Sequence, residues 1–362
     1  MTQMIRWGIL STGSIAHAFA EGLRHVPDAE LVAVGSRARD SAEQFGRLYD
    51  IPHRHASYEA LAEDPDVDVI YIATPHTFHK ENTLLCLDAG KAVLCEKPFA
   101  INAAETREML ARAREKNLFL MEAMWMRFLP AIVRLREVLA EGRIGEVRMV
   151  MADFGFRAPF DPHSRLFAPE LGGGALLDVG IYPLSLACMI LGPPERVMGM
   201  AHLGQTGVDE QSAAILGYGD GRMAQIFGAV RTASPIEARI LGTEGRIHIH
   251  NPMFSPERFT VTRHREGGPQ MQRLPPRIKR VGRRLGLDKL WHRWQQGRGQ
   301  TIICPIAGNG YNYEAAEVMR CLRAGRLESD VMPWSETLMI METLDRLRAA
   351  WGLRYPTETE GG

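Results

Sequence analysis

Across residues 1–123 the chain repeats one unit, a short apolar run followed by a segment with helical spacing. Ile5–Leu10 is the first run. Ile15, Phe19 and Leu23 then recur at i, i+4 and i+8, one face of a helix over Ser14–His25 that Pro27 stops. Leu31–Val34, Val67–Ala73, Ala92–Cys95 and Leu118–Met121 read as further strands. Asn82–Ala89 reads as a short helix closed by Gly90, and Asn102 with Glu105 as a capping box for a helix to Lys116. Such alternation predicts an α/β domain with a parallel, doubly wound sheet and right-handed crossovers.

Over residues 124–362 the rhythm changes. A helix over Ala131–Glu141 ends at Gly142. A long strand, Val147–Phe156, and a Gly-rich turn lead into an apolar helix at about Ala175–Leu191. From Arg196 to Thr262 strand-like runs alternate with Gly-rich turns, the pattern of a large open sheet, mainly antiparallel or mixed. Helices over Tyr313–Ala324 and Trp334–Trp351 close this second α/β domain. The stretch 273–300 holds nine Lys/Arg and one acid, Asp288, with Trp291 and Trp294 interleaved. It reads as a solvated basic surface insertion. The alternative is a lid, a partner surface or an anionic-lipid contact.

Charge excludes some classes. Lys+Arg and Asp+Glu both number 43, so no global bias points to nucleic acid. The N-terminus lacks the basic and apolar regions of a signal peptide, and no uninterrupted apolar run of about 18 residues predicts a membrane span. Five cysteines without CxxC spacing fit reduced thiols, and a cytoplasmic protein is expected.

Three groups of residues carry chemistry. Ser11-Thr12-Gly13-Ser14-Ile15, after the first strand and Gly8, stands where a strand, a tight turn and a helix N-terminus offer backbone N–H groups to a pyrophosphate. At the end of the second strand, where a carboxylate would bind the ribose of NAD, the chain has Gly35-Ser36-Arg37. Ser36 and Arg37 suit a 2′-phosphate, so NADP is favoured over NAD. The alternative is that Arg37 is a solvated loop residue and Asp40 binds the ribose.

Glu96-Lys97-Pro98 ends the fourth strand, in the crevice where such sheets bind ligands. Asp178 and Tyr182, four apart, share a helix face. A lysine ammonium beside Tyr182 would favour its phenolate, so that Tyr182 takes a hydroxyl proton while Lys97 bonds the same oxygen. His76 and His79, after Thr74-Pro75, read as pocket-lining. His53/His55 and His248/His250 alternate, but no third ligand is evident beside any pair, so no metal is expected.

The order of these motifs resembles the Gfo/Idh/MocA oxidoreductases along nearly the whole chain. Met121–Phe128 and Gly173–Tyr182 are most similar to the branch of dimeric dihydrodiol dehydrogenases and NADP-dependent D-xylose dehydrogenases. The resemblance implies a Rossmann domain and a second domain whose open sheet forms a homodimer or homotetramer. It implies that Lys97 and Tyr182 are catalytic and that Asp178 orients substrate. By the same resemblance Arg165 lies near the nicotinamide and Trp125 lines the pocket; Phe154 joins them as a substrate-contact candidate. Hydride transfer with a sugar or cyclic vicinal diol is the expected activity. The alternatives are a sugar oxidoreductase with tightly held, recycled cofactor, or a non-catalytic dinucleotide sensor.

Overall fold

The computed structural model describes residues 3–264 and 299–358. Most of the basic stretch, at 273–298, lies outside the described residues.

Six strands form a parallel sheet: β1 (Ile5–Leu10), β2 (Ala29–Gly35), β3 (His53–His55), β4 (Val69–Ile72), β5 (Ala92–Glu96) and β6 (Leu120–Ala123), in the order β3-β2-β1-β4-β5-β6. Every residue of β4 and β5 is buried, because helices cover both faces. β3 and the helices Arg39–Leu48 and Tyr58–Ala62 are additions to the sequence reading. β3 is a three-residue His-Arg-His edge strand with no apolar run to announce it. The strand order reverses between β1 and β4, which opens a crevice at the carboxyl ends of the strands.

At the helix Ala103–Lys116 the Asn102 side chain accepts from Glu105 N at 2.8 Å. The Glu105 carboxylate reaches Ile101 N at 3.2 Å rather than Asn102 N, so half of the expected box forms one residue early.

The second sheet has eight strands: β7 (Val147–Gly155), β8 (Arg196–Leu203), β9 (Asp209–Gly217), β10 (Met223–Ala229), β11 (Ala238–Gly242), β12 (Gly245–Ile249), β13 (Arg258–Arg263) and β14 (Gln300–Ile303). Their order is β14-β13-β12-β11-β7-β10-β9-β8. Only the β7–β10 pair is parallel, so the sheet is mixed. The helix Ile181–Leu191 covers one face and packs on β7 and β10. On the other face β8 alternates strictly between exposed and half-buried positions, and Met198, Met200, Ile215 and Met223 face solvent.

The stretch Pro169–Leu191 bears on the expected absence of a membrane span. By length and composition it could cross a membrane, with a mean hydropathy of 1.8. Yet 89% of that window is buried inside the protein, where it forms the core behind the second sheet.

Candidate active site

A cavity of about 620 Å³ opens at the carboxyl ends of the first sheet and is closed by the second domain. β1 delivers Ser11, Gly13, Ser14 and Ile15 to it, β4 delivers Thr74, Pro75 and His76, and β5 delivers Glu96 and Lys97. Arg37 stands at the end of β2, with its guanidinium 5.5 Å from the Phe78 ring. From the second domain come Phe154, Arg165, Asp178 and Tyr182, and from the segment after β6, Trp125.

Four sequence candidates do not reach this wall. Gly8 lies inside β1, where an added Cβ would meet Leu61 at 3.1 Å and Val67 at 3.2 Å, so its smallness serves packing. Thr12 is half-buried and off the wall. The buried Ser36 hydroxyl accepts from Ala38 N at 3.3 Å, which directs it into its own turn. His79 is fully buried, with its ring nitrogens 2.8 Å from the Pro98 carbonyl and 2.9 Å from that of Thr74. It braces the two loops from behind rather than lining the pocket.

The first turn fits a nucleotide. The helix Ser14–Leu23 begins after Gly13 with no side-chain cap and no acid in its first turn, so its N–H groups stay open to an anion. Gly13 is exposed, and a Cβ there would meet nothing nearer than Ser11 Oγ at 3.9 Å. That empty space is the cradle a phosphate needs.

Lys97 is the hub of the polar wall. Its Nζ donates to the Asp178 carbonyl at 2.7 Å and to Asp178 Oδ1 at 3.3 Å, and lies 4.9 Å from the Tyr182 ring centroid. Arg165 pairs with the same Asp178 oxygen at 2.8 Å. Although burial opposes it, the Lys97 and Arg165 charges hold the Asp178 carboxyl far below the usual carboxylate range. Asp178 belongs to a five-residue π-helical turn, Leu176–Gly180, and Tyr182 to the α-helix that continues it, so both side chains still meet the cavity.

Lys97 favours the Tyr182 phenolate as expected, but it is not the larger influence. Burial pushes the phenol up, more than Lys97 pulls it down, so the hydroxyl is protonated in this state. Trp125 Nε1 donates to the Tyr182 oxygen at 3.0 Å. The opposite influences meet at His76, which burial drives down to about 3; its ring is neutral and its Nδ1 donates to the Gly172 carbonyl at 2.9 Å.

An acidic layer lies beneath. Burial pushes the Glu96 carboxyl up; Tyr71 donates its hydroxyl to Glu96 Oε1, and Lys97 N donates to Oε2 at 3.0 Å. Glu314 is fully buried with no hydrogen-bond partner for either oxygen among the described residues, and burial together with Glu96 raises it well above the usual range. It is therefore a neutral acid.

The aromatic wall contains residues that sequence reasoning missed. Tyr311 stacks on Trp125 at 4.8 Å and 18°, and Phe254 on Phe154 at 4.4 Å and 5°. Tyr311 opens a helix, Tyr311–Arg323, that begins two residues earlier than expected, directly after Gly308-Asn309-Gly310. Phe254 follows a loop beyond β12. An aromatic after a Gly-rich turn was the only local signal for Tyr311, Phe254 after Asn251-Pro252-Met253 had none, and neither position carries a motif.

One further set changes the view of metals. Asp64 joins His53 and His55, so a third donor does stand beside that pair. It comes from beyond the helix Tyr58–Ala62, at a spacing that no zinc pattern flags.

The comparisons agree with this architecture. Residues 5–124 match the oxidoreductase family with an NAD-binding Rossmann fold, and residues 132–248 match the GFO/IDH/MocA C-terminal domain. Trans-1,2-dihydrobenzene-1,2-diol dehydrogenase of Mus musculus is 39% identical over 358 residues, 98% of this chain and 99% of that protein. The Homo sapiens protein is 38% identical over 362 residues, with the same shares covered. Among solved structures, a 3-ketoreductase from Actinomadura kijaniata in complex with NADP superposes with a TM-score of 0.79 at 25% identity, covering 96% of this chain and 98% of that one. An aldose–aldose oxidoreductase from Caulobacter crescentus shares the fold at 22% identity and a TM-score of 0.80, over 96% and 97% of the two chains. The chain thus belongs to the Gfo/Idh/MocA oxidoreductases, and it is a nicotinamide-dependent dehydrogenase.

Proposed function

We propose that this dehydrogenase uses NADP and oxidises a small ring compound bearing vicinal hydroxyls, with Lys97 and Tyr182 as its catalytic residues. The observation that carries the reading is the division of one cavity into an aromatic wall and a polar wall. Trp125, Phe154, Phe254 and Tyr311 line the cavity with rings; Lys97, Asp178 and Arg165 form the polar part, and Tyr182, packed beside Phe154 and Phe254 and bonded to Trp125, carries its hydroxyl where the two meet. A cyclic trans-diol, the substrate class in the relatives' name, presents an apolar face and two adjacent hydroxyls to such a pair of walls. A pyranose such as D-xylose does so less well, since hydroxyls ring its whole edge.

Bound nicotinamide supplies the acceptor for the hydride. The Lys97 ammonium holds the reacting oxygen by a charged hydrogen bond, and the Tyr182 oxygen takes its proton. Trp125 Nε1–H and Lys97 both stabilise the phenolate that Tyr182 must present. Because burial raises Tyr182, oxidation quickens as pH rises toward its ionisation, whereas reduction uses the phenol that predominates at neutral pH.

Support for NADP comes from Arg37. It borders both the main cavity and a second one of about 490 Å³ lined by Ser57, Tyr58, Thr74 and Phe78, with room for an adenosine end. Asp40, the rival for the ribose, borders neither. The open face with Met198 at 72% and Met200 at 81% exposure supports association of the second sheets into a homodimer or tetramer. We place the enzyme in the cytoplasm, in keeping with its five free thiols.

The test is NADPH formation, followed by absorbance, with a cyclohexadiene trans-diol, D-xylose and D-glucose offered in turn. Turnover on the diol with NADP⁺ and a Michaelis constant for NADP⁺ that rises about 10–100-fold in Arg37→Ala, with that for NAD⁺ unmoved, is the expected result. Equal use of NAD⁺ by the unmutated enzyme refutes the cofactor reading, and turnover of the sugars alone refutes the diol. Light scattering reports the assembly.

A further inference from the structure

His53 and His55 lie two residues apart on β3, so both imidazoles project from one side of this edge strand. Asp64 returns to meet them. Its Oδ2 is 2.7 Å from His53 Nδ1 and 2.8 Å from His55 Nε2. All three donor atoms lie within 4.8 Å of one another. The Asp64 side chain is only 3% exposed, and its ion-pair partners among the described residues are these two imidazoles. The nearby Lys91 ammonium bonds the backbone carbonyls of Asp64 and Val67 instead. The Lys91 charge is thus a neighbour of the Asp64 carboxylate without bonding to it, which leaves Oδ2 to the imidazoles.

We propose that His53, His55 and Asp64 form a binding site for a divalent transition-metal ion of the zinc class. Two imidazole nitrogens and one carboxylate oxygen are a donor set for such a borderline cation, with water as fourth ligand. The rings stand 6.4 Å apart and nearly perpendicular, at 89°, so they do not stack against each other and both can turn toward Asp64. Metal bonds of about 2.0–2.1 Å set donors about 3.3 Å apart, so each contact opens by about half an ångström, a small turn of each ring. Outer contacts are in place too. Asp64 Oδ1 accepts from Asp66 N at 2.9 Å, which leaves Oδ2 to the ion. His53 Nε2 lies 4.0 Å from the Asp66 carboxylate, too far for a hydrogen bond but near enough to favour a cation at this site. The His53 side chain is 37% exposed, which gives the ion a path in and room for its water.

None of the three borders the main cavity, so the ion has a structural role. The His55 carbonyl accepts from Ser36 N at 3.1 Å, and Ala56 and Ser57 line the cavity beside Arg37. An ion here ties β3 to that wall.

The test uses the full chain without a polyhistidine tag, dialysed against chelator and titrated with Co²⁺, then Zn²⁺. Expected are one ion per chain, visible d–d absorption of tetrahedral Co²⁺, its loss on Zn²⁺ addition, and a higher Tm with metal. His53→Gln and His55→Gln should each weaken binding by about tenfold or more. Asp64 also anchors the turn at Asp66, so the histidine variants, checked for folding by circular dichroism, carry the test. Absence of saturable binding, or unchanged binding in the double histidine variant, overturns the proposal. The triad is then a carboxylate accepting two imidazole hydrogen bonds and nothing more.

Discussion

The two sheets serve one cavity in different ways. The first is buried on both faces and offers what its strand ends expose: an uncapped helix, a glycine and a short row of loop residues. The second keeps one face open and, with the segments around it, offers side chains: two stacked aromatic pairs, of which Phe154 alone stands on a strand, and a π turn that sets Asp178 against Lys97. Backbone amides recognise what every dinucleotide shares, its phosphates. Side chains recognise what differs between substrates. Lys97 is the exception, a first-sheet residue bonded into the second domain through Asp178.

Lys97→Ala tests that exception. We expect kcat to fall by about 10³-fold with little change in cofactor affinity, measured by turnover and by NADPH fluorescence titration. Its pH profile sharpens the point. Lys97 lowers the Tyr182 ionisation, so without it the alkaline limb of diol oxidation moves to higher pH. A variant with unchanged kcat removes Lys97 from the chemistry.

Gly13→Val separates backbone recognition from folding. The first added carbon meets nothing nearer than Ser11 Oγ at 3.9 Å, and φ is −73°, so Tm should hold within about 2 °C while the cofactor binds about tenfold or more weakly. Equal affinity breaks the comparison on the side of the first sheet.

Trp125→Phe tests the aromatic wall. It keeps the stack on Tyr311 but deletes the N–H that supports the Tyr182 oxygen. A loss of kcat of about three- to tenfold and a smaller alkaline shift than in Lys97→Ala are expected.

The smallest effect falls on the base of the π turn. The Asp209 carboxylate accepts from Leu176 N at 2.7 Å, and burial pushes its carboxyl up to about 7. An unfolded Asp titrates near about 3.9, so between the two values the folded chain holds a proton that the unfolded chain has lost. Stability therefore falls as pH rises through this window. Asp209→Asn cannot ionise and should raise Tm by about 2–5 °C at about pH 8, but not at about pH 4, in thermal melts. A gain that is the same at both would point to a cause other than ionisation.

Much of this was legible because local physics wrote it. The apolar runs of β1, β4 and β5 must be strands buried on both faces, and Glu96-Lys97 at a strand end must face the crevice. β3 stayed hidden since three polar residues at an edge carry no periodicity. His79 read as pocket-lining because sequence places it near the crevice without saying which way the ring turns.

By itself, the sequence determined the parallel sheet, the glycine turn, the placing of Asp178 and Tyr182 toward one cavity and the family, since each rests on contacts or spacings within a few residues. Tertiary structure alone decided that Tyr311 and Phe254 complete the wall, that Glu314 is a buried neutral acid, that burial outweighs Lys97 at Tyr182, and that Asp64 closes a triad with His53 and His55. Burial and convergence are sums over distant neighbours, and no window of the chain contains them.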